Sequence, residues 1–153
     1  MRAVLLALVL ATGPGPQPYA DYVALASGTL ISDAPLTSAV TFDPIAIGGW
    51  DTVTVWVDYE HGSGNVTHVT LSCADGPSTS ALGTHQSFKE TSTDGTYDGS
   101  NQLLRIPVSA SGALRWSLVG LSAEYFQCTV AALGTPDGTD LVKSISMRAG
   151  VQR

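Results

Sequence analysis

The residues best placed for acid–base chemistry are His61, His68 and His85, which come close in sequence to Asp58, Glu60 and Asp75. Imidazole and carboxylate are the groups from which general bases and nucleophile relays are built. The sequence around them holds none of the motifs that organise such groups: no G-x-S-x-G elbow, no H-E-x-x-H, no P-loop and no glycine-rich dinucleotide fingerprint. His68 falls on a strand face with Thr70 and Ser72, and His61 falls in a turn, so both are expected to serve solvent or structure rather than catalysis. Three histidines without ligand spacing do not specify a transition-metal site. Asp94, Asp98 and Asn101, in STDGTYDGSNQ, offer oxygen ligands for calcium. Their spacing is not that of an EF-hand loop, and Asp-Gly pairs are turn formers first. The expectation is therefore a chain without catalytic residues, bound metal or cofactor. Asn65-Val66-Thr67 is a formal N-glycosylation sequon, relevant only in a eukaryotic secretory route.

Two other groups carry chemistry of a quieter kind. Cys73 and Cys128, the chain's two cysteines, each share a strand face with apolar neighbours, Val69 and Leu71 for the first, Phe126 and Val130 for the second. They could meet across the core. A bond between them would restrict the unfolded chain by about 4 kcal/mol on the chain-entropy model, and an oxidising compartment would permit it. In a reducing cytoplasm both would remain buried thiols, which are ordinary small core residues. Trp56 shares the face of Thr54 and Asp58, opposite a row of valines, and either meets a neighbouring subunit or a sugar ring or is covered because both faces of its sheet are partly covered. Arg115-Trp116 offers a similar platform. Trp56, Trp116 and Arg115 are thus the candidate contact surface.

The elements that must position these residues are strands. In VTVWVDY, Val53, Val55, Val57 and Tyr59 alternate with Thr54, Trp56 and Asp58, the period of two that gives a sheet two faces. After the turn residues His61-Gly62-Ser63-Gly64-Asn65, VTHVTLSC continues the alternation, and the two segments read as a hairpin. Earlier, DYVALASGTLI and SAVTF read as strands. The stretch from Cys73 to Gly99 is loop-like around a short strand at 85–90. Later, QLLRIPVSA, ALRWSLVG, EYFQCTVAAL and DLVKSISMRAG read as four more strands, with Pro107 marking an edge or bulge. Eight or nine short strands at this spacing make an all-β fold, a single antiparallel β-sandwich or jelly roll. Charged residues are 13% of the chain, against about a quarter in an average globular protein, and helix-forming runs are missing.

One domain is expected over residues 21–153, preceded by residues 1–20. That opening segment has Arg2, an apolar run from Ala3 to Ala11 and a Gly/Pro-rich close at Pro18-Tyr19-Ala20, and it resembles a secretory signal peptide or, if retained, an N-terminal arm. The apolar run is too short to span a bilayer. A net charge of −6 and two lysines, Lys89 and Lys143, leave no basic stripe for nucleic acid.

The stretch from Ile45 to Thr84, IAIGGWDTVTVWVDYEHGSGNVTHVTLSCADGPSTSALGT, resembles the small β-sandwich structural proteins of tailed bacteriophage virions. In those proteins a Gly-aromatic-Asp turn leads into a strand of the VTVWVDY type and then to a loop carrying Asp-Gly. The likeness extends over residues 21–150 as a texture of Val, Thr, Gly and Asp-Gly turns. Two departures stand out: Gly76 leads into Pro77-Ser78-Thr79 where an aromatic is usual, and a secretion leader is foreign to such proteins. The resemblance implies a non-enzymatic virion component, a capsid decoration or tail or fibre part, whose partners are copies of itself and other virion proteins. The leader implies the alternative, a secreted β-sandwich module binding carbohydrate or a cell-surface ligand. LSAEYFQC also has some likeness to the strand before the second cysteine of immunoglobulin domains, but Phe126 stands where the tyrosine would be.

Overall fold

Alternation of apolar and polar residues commits most of the chain to strands, and each strand buries one face. The computed structural model describes residues 22–23, 31–48, 50, 52–84, 88–91, 96–98, 103–121 and 123–150. They form two antiparallel sheets packed on each other as a β-sandwich. The segment 1–20, expected as leader or arm, lies outside the described residues, as does His85.

The strands in chain order are β1 (Tyr22–Val23), β2 (Ser32–Pro35), β3 (Val40–Thr41), β4 (Ile45–Ala46), β5 (Thr52–Glu60), β6 (Asn65–Gly76), β7 (Gly83–Thr84), β8 (Phe88–Thr91), β9 (Thr96–Asp98), β10 (Leu103–Pro107), β11 (Gly112–Val119), β12 (Tyr125–Thr135) and β13 (Leu141–Gly150). Sheet A has the order β1-β13-β5-β11-β8, with β2 also on β13; sheet B has the order β3-β12-β6-β10-β9, with β4 on β12 and β7 on β6. The strands outnumber the eight or nine expected because the sheet margins are built from pieces of two to four residues. Such short margins limit the run of unpaired backbone that could template another chain. Pro107 lies past the reach of β9, which pairs only Leu103–Arg105, so its missing N–H costs no ladder bond on that side.

The expectation of a hairpin at residues 53–73 is corrected. β5 belongs to sheet A and β6 to sheet B, so the short turn between them carries the chain from one sheet to the other as an arch. The links β10–β11 and β12–β13 cross between the sheets in the same way. Because β5 neighbours β13 in sheet A and β6 neighbours β12 in sheet B, the turns of the β5–β6 and β12–β13 arches lie side by side.

Between the sheets lies one apolar core. Sheet A contributes Val53, Val55, Val57, Leu114, Trp116, Leu118, Ile145 and Met147; sheet B contributes Val69, Leu71, Leu104, Ile106, Phe126 and Val130. Cys73 and Cys128 are directly opposite one another on β6 and β12, and their sulfurs are bonded. Of the two states the sequence leaves open, bonded or free, the cysteines adopt the bonded one, and the bond joins neighbours in one sheet rather than residues meeting across the core. That placement also sets the fold apart from antibody domains, whose cysteines link the two sheets.

Candidate functional site

Two polar regions flank this core, and their chemistry differs. The first is at the arch end. Within Pro136–Asp140, Asp137 accepts hydrogen bonds from the backbone N–H and the hydroxyl of Thr139 at 2.8 and 2.6 Å, the local pattern for which Asp is favoured in turns. Asp140 closes the same turn from the other side, its Oδ2 accepting the Asp137 N–H at 2.9 Å. The carboxyl group of Asp140 is fully buried. Its Oδ1 accepts the Gly62 N–H at 2.9 Å and the Tyr59 hydroxyl at 3.1 Å, so one carboxylate ties both arches to the end of β5. Ser63 completes the link, donating its hydroxyl to Asp137 Oδ2 at 2.6 Å and its N–H to Thr139 Oγ1 at 2.9 Å.

The glycines of this turn are required by close approach. A Cβ on Gly62 would collide with Thr139, and one on Gly64 would overlap Asp140 Oδ2 and sit 2.7 Å from the Asp137 nitrogen. Electrostatics follow the hydrogen bonds. The Ser63 hydroxyl, then the Thr139 donors, lower the Asp137 carboxyl to about 2. Burial opposes the charge on Asp140, but the N–H groups of Asp137 and Gly62 and the Tyr59 hydroxyl outweigh it and hold that carboxyl below its ordinary value. Burial, and then the Asp140 carboxylate, push the Tyr59 hydroxyl up, so it stays a donor.

His61, for which the sequence predicts a solvent or structural role rather than catalysis, sits at this same turn. His61 Nδ1 donates to the Gly62 carbonyl at 2.9 Å and stands 3.8 Å from Asp140 Oδ1, while the His61 N–H donates to the Ser111 hydroxyl at 2.8 Å. The hydroxyl of Ser63 is spent on Asp137. No nucleophile–base hydrogen bond joins Ser63 to His61, and the carboxylate that would orient the base already accepts three other donors. His68 is a half-buried residue on the outer face of β6, with Nδ1 3.1 Å from the Thr67 hydroxyl. Among the described residues no three His, Cys, Asp or Glu side chains gather as a metal site. Of the calcium candidates, Asp94 and Asn101 lie outside the described residues, and for Asp98 only the backbone of β9 is described.

The second region is the outer face of sheet A. Along β5 the valines point inward and Thr52, Thr54, Trp56, Asp58 and Glu60 point outward. In register, Trp56 lies between Arg115 on β11 and Ser146 on β13, and Thr54 lies between Ser117 and Arg148. The Arg148 guanidinium reaches diagonally over the indole of Trp56, 5.8 Å from the ring centroid, a cation–π arrangement. Beneath this pair the hydroxyls of Thr54 and Ser117 lie 3.3 Å apart and are buried. Trp56 itself is half-buried.

Trp116 does not belong to this surface. It is fully buried on the inner face of β11, between Leu114 and Leu118, and pairs with Val55. Of the expected contact surface, Trp56 and Arg115 therefore remain together, joined by Arg148, which sequence reasoning missed. The β13 register could have supplied Arg148, but only with the strand order known.

No protein-family model and no curated protein sequence matches this chain.

A third feature, on the margin of sheet A, is the bulge at Lys143, the extra residue between Val142 and Ser144. Its ammonium group pairs with Asp33 of β2 and lies 3.4 Å from Glu60 of β5. The hydrogen bond from Lys143 and then its charge lower the Asp33 carboxyl, while the bond to Asp33 raises the lysine. All three groups are solvent-exposed, so the cluster fixes β2 in place with little net stabilisation. No helix long and apolar enough to cross a membrane occurs among the described residues.

Proposed function

We propose that this chain is a non-enzymatic structural protein of a virion, a capsid decoration or other surface component that assembles with copies of itself and with other virion proteins. Its contact surface is the outer face of sheet A around Trp56. The observation that carries the reading is the position of that indole, half-buried in the middle of a sheet face and flanked by Arg115 and Arg148. Large aromatic and arginine side chains are the residues that contribute most where protein surfaces meet. The β-sandwich fold agrees with the likeness of residues 45–84 to phage structural proteins, and the hydrogen bonds that tie Ser63 to Asp137 and Thr139 of the neighbouring arch and His61 to Gly62 and Ser111 favour an architectural role for the histidine, serine and carboxylates at the arch end. Immunogold labelling of particles purified from the chain's own source tests the reading. Regular labelling of intact particles is expected; label confined to the particle-free supernatant would overturn it.

The second reading, a secreted β-sandwich module for a carbohydrate or cell-surface ligand, is favoured by the Cys73–Cys128 bond, because disulfides persist in oxidising compartments. The intact mass of native, unreduced protein separates the two. A chain starting near Asp21 and two hydrogens light supports secretion, whereas one starting at Met1 or Arg2 with free thiols supports assembly in the cytoplasm.

A further inference from the structure

We infer that the Cys73–Cys128 bond is a redox lock: its state is set before the two sheets close over it, and afterwards neither thiol reductants nor disulfide oxidants change it until the sandwich opens. Both sulfurs face the core, on residues that are 3% and 0% exposed. They sit in the middle of sheet B, on the ladder between β6 and β12, with the register running on through Leu71–Val130 on one side and Asp75–Phe126 on the other. Leu71, Val130 and Phe126 are buried too. Toward the sheet margins, Leu104 of β10 lies opposite Leu71, and Phe42, just after β3, packs its ring 6.5 Å from that of Phe126. Fraying of a strand end therefore leaves the bond covered.

Thiol exchange needs access that this position denies. In reduction by dithiothreitol, one of its thiolates attacks a cystine sulfur, the S–S bond breaks and the other sulfur leaves as a thiolate. The second dithiothreitol thiol then displaces the first cysteine, so the reagent ends as a cyclic disulfide and the two cysteines gain two electrons and two protons. The attacking thiolate is charged, and the core around the bond is apolar. Oxidation of the two thiols by glutathione disulfide runs through the same mixed-disulfide steps, releases two glutathiones and meets the same barrier. A chain that folds oxidised thus carries the bond into a reducing compartment, and one that folds reduced keeps its thiols in an oxidising one. The bond records where the chain folded rather than where it is found. This holds for the virion and the secreted reading alike, because it rests only on the position of the cysteines.

The experiment treats the full chain with dithiothreitol along a urea series, quenches with acid, labels thiols with N-ethylmaleimide in denaturant and reads them by mass. Reduction without urea is expected to be slower than in the urea-unfolded chain by about a thousandfold or more, and to accelerate with urea as the unfolded population grows. Asp140→Ala, at the arch end and away from the cysteines, should speed reduction by the factor by which it raises the unfolding equilibrium constant. Reduction without urea within about tenfold of the unfolded rate, or a rate that neither urea nor Asp140→Ala changes, overturns the inference. A reverse arm refolds the reduced chain, checks its circular dichroism and exposes it to glutathione disulfide. Thiols that persist until urea is added are expected; prompt closure of the bond in the folded chain overturns the lock. Should the reduced chain not fold, the urea series and Asp140→Ala decide alone.

Discussion

The arch end and the outer face of sheet A are both rich in polar side chains, yet they differ in where their hydrogen bonds go. At the arch end the donors and acceptors turn on each other. Asp140 is fully buried and meets the Tyr59 hydroxyl and two backbone N–H groups, and Asp137 is occupied by Ser63 and Thr139. On the outer face the hydroxyls of Thr54 and Ser117 are buried beside each other, but Arg148 and Trp56 remain partly open to solvent. A buried polar network satisfied within itself specifies geometry. An aromatic and a guanidinium left at a surface specify a partner. The same residue types thus serve architecture in one place and contact in the other.

The comparison breaks most visibly at Asp140. Replacing it with Ala strands the Tyr59 hydroxyl and two backbone N–H groups in a buried site, with an expected loss on the order of 3–5 kcal/mol in chemical denaturation. A loss below about 1 kcal/mol would mean that the arches are held by packing alone. Next is the disulfide. The paired substitution of Cys73 and Cys128 by Ala is expected to lower stability by about 2–4 kcal/mol, measured by urea titration under nonreducing conditions, and to leave the outer face unchanged.

Acid should act on the arch end selectively. Asp137 and Asp140 are depressed in the folded chain, so their contribution is complete above the ordinary carboxylate range, near pH 4, and is lost as pH falls through the folded values. For Asp137 that places the loss between about 4 and about 2. Thermal melts across this window should show a steeper acid decline in the native chain than in Asp137→Asn. The smallest effect is expected at Trp56. Trp56→Ala on a half-exposed face should cost at most about 1 kcal/mol of stability while removing particle attachment. The reverse pattern, a large stability loss with attachment intact, would move Trp56 into the architectural class.

Much of this was legible in the sequence, and the misreadings have physical causes. The alternation of Val53, Val55, Val57 and Tyr59 with Thr54, Trp56 and Asp58 placed one set inside and one outside, as found. The same rule applied to Leu114, Trp116 and Leu118 would have sent Trp116 inward, so the signal for its burial was present and Arg115 beside it obscured it. The turn His61–Gly64 fits a hairpin and an arch equally, because turn residues reverse the chain without saying which sheet receives the next strand. The cysteines were correctly placed on apolar faces, but their pairing within one sheet depended on the β6–β12 register. Asp140 gave no local sign of its role. Its partners Tyr59 and Gly62 lie 81 and 78 residues away in sequence, and only the side-by-side arches bring them together.

Hydroxyl-radical footprinting of Trp56 and Trp116, in the free chain and in intact particles, tests the division between architecture and contact most directly. Trp56 should oxidise readily in the free chain and become protected in particles, while Trp116, buried in both, stays unmodified. Equal oxidation of Trp56 in the two states would contradict the assignment of this face as the contact surface.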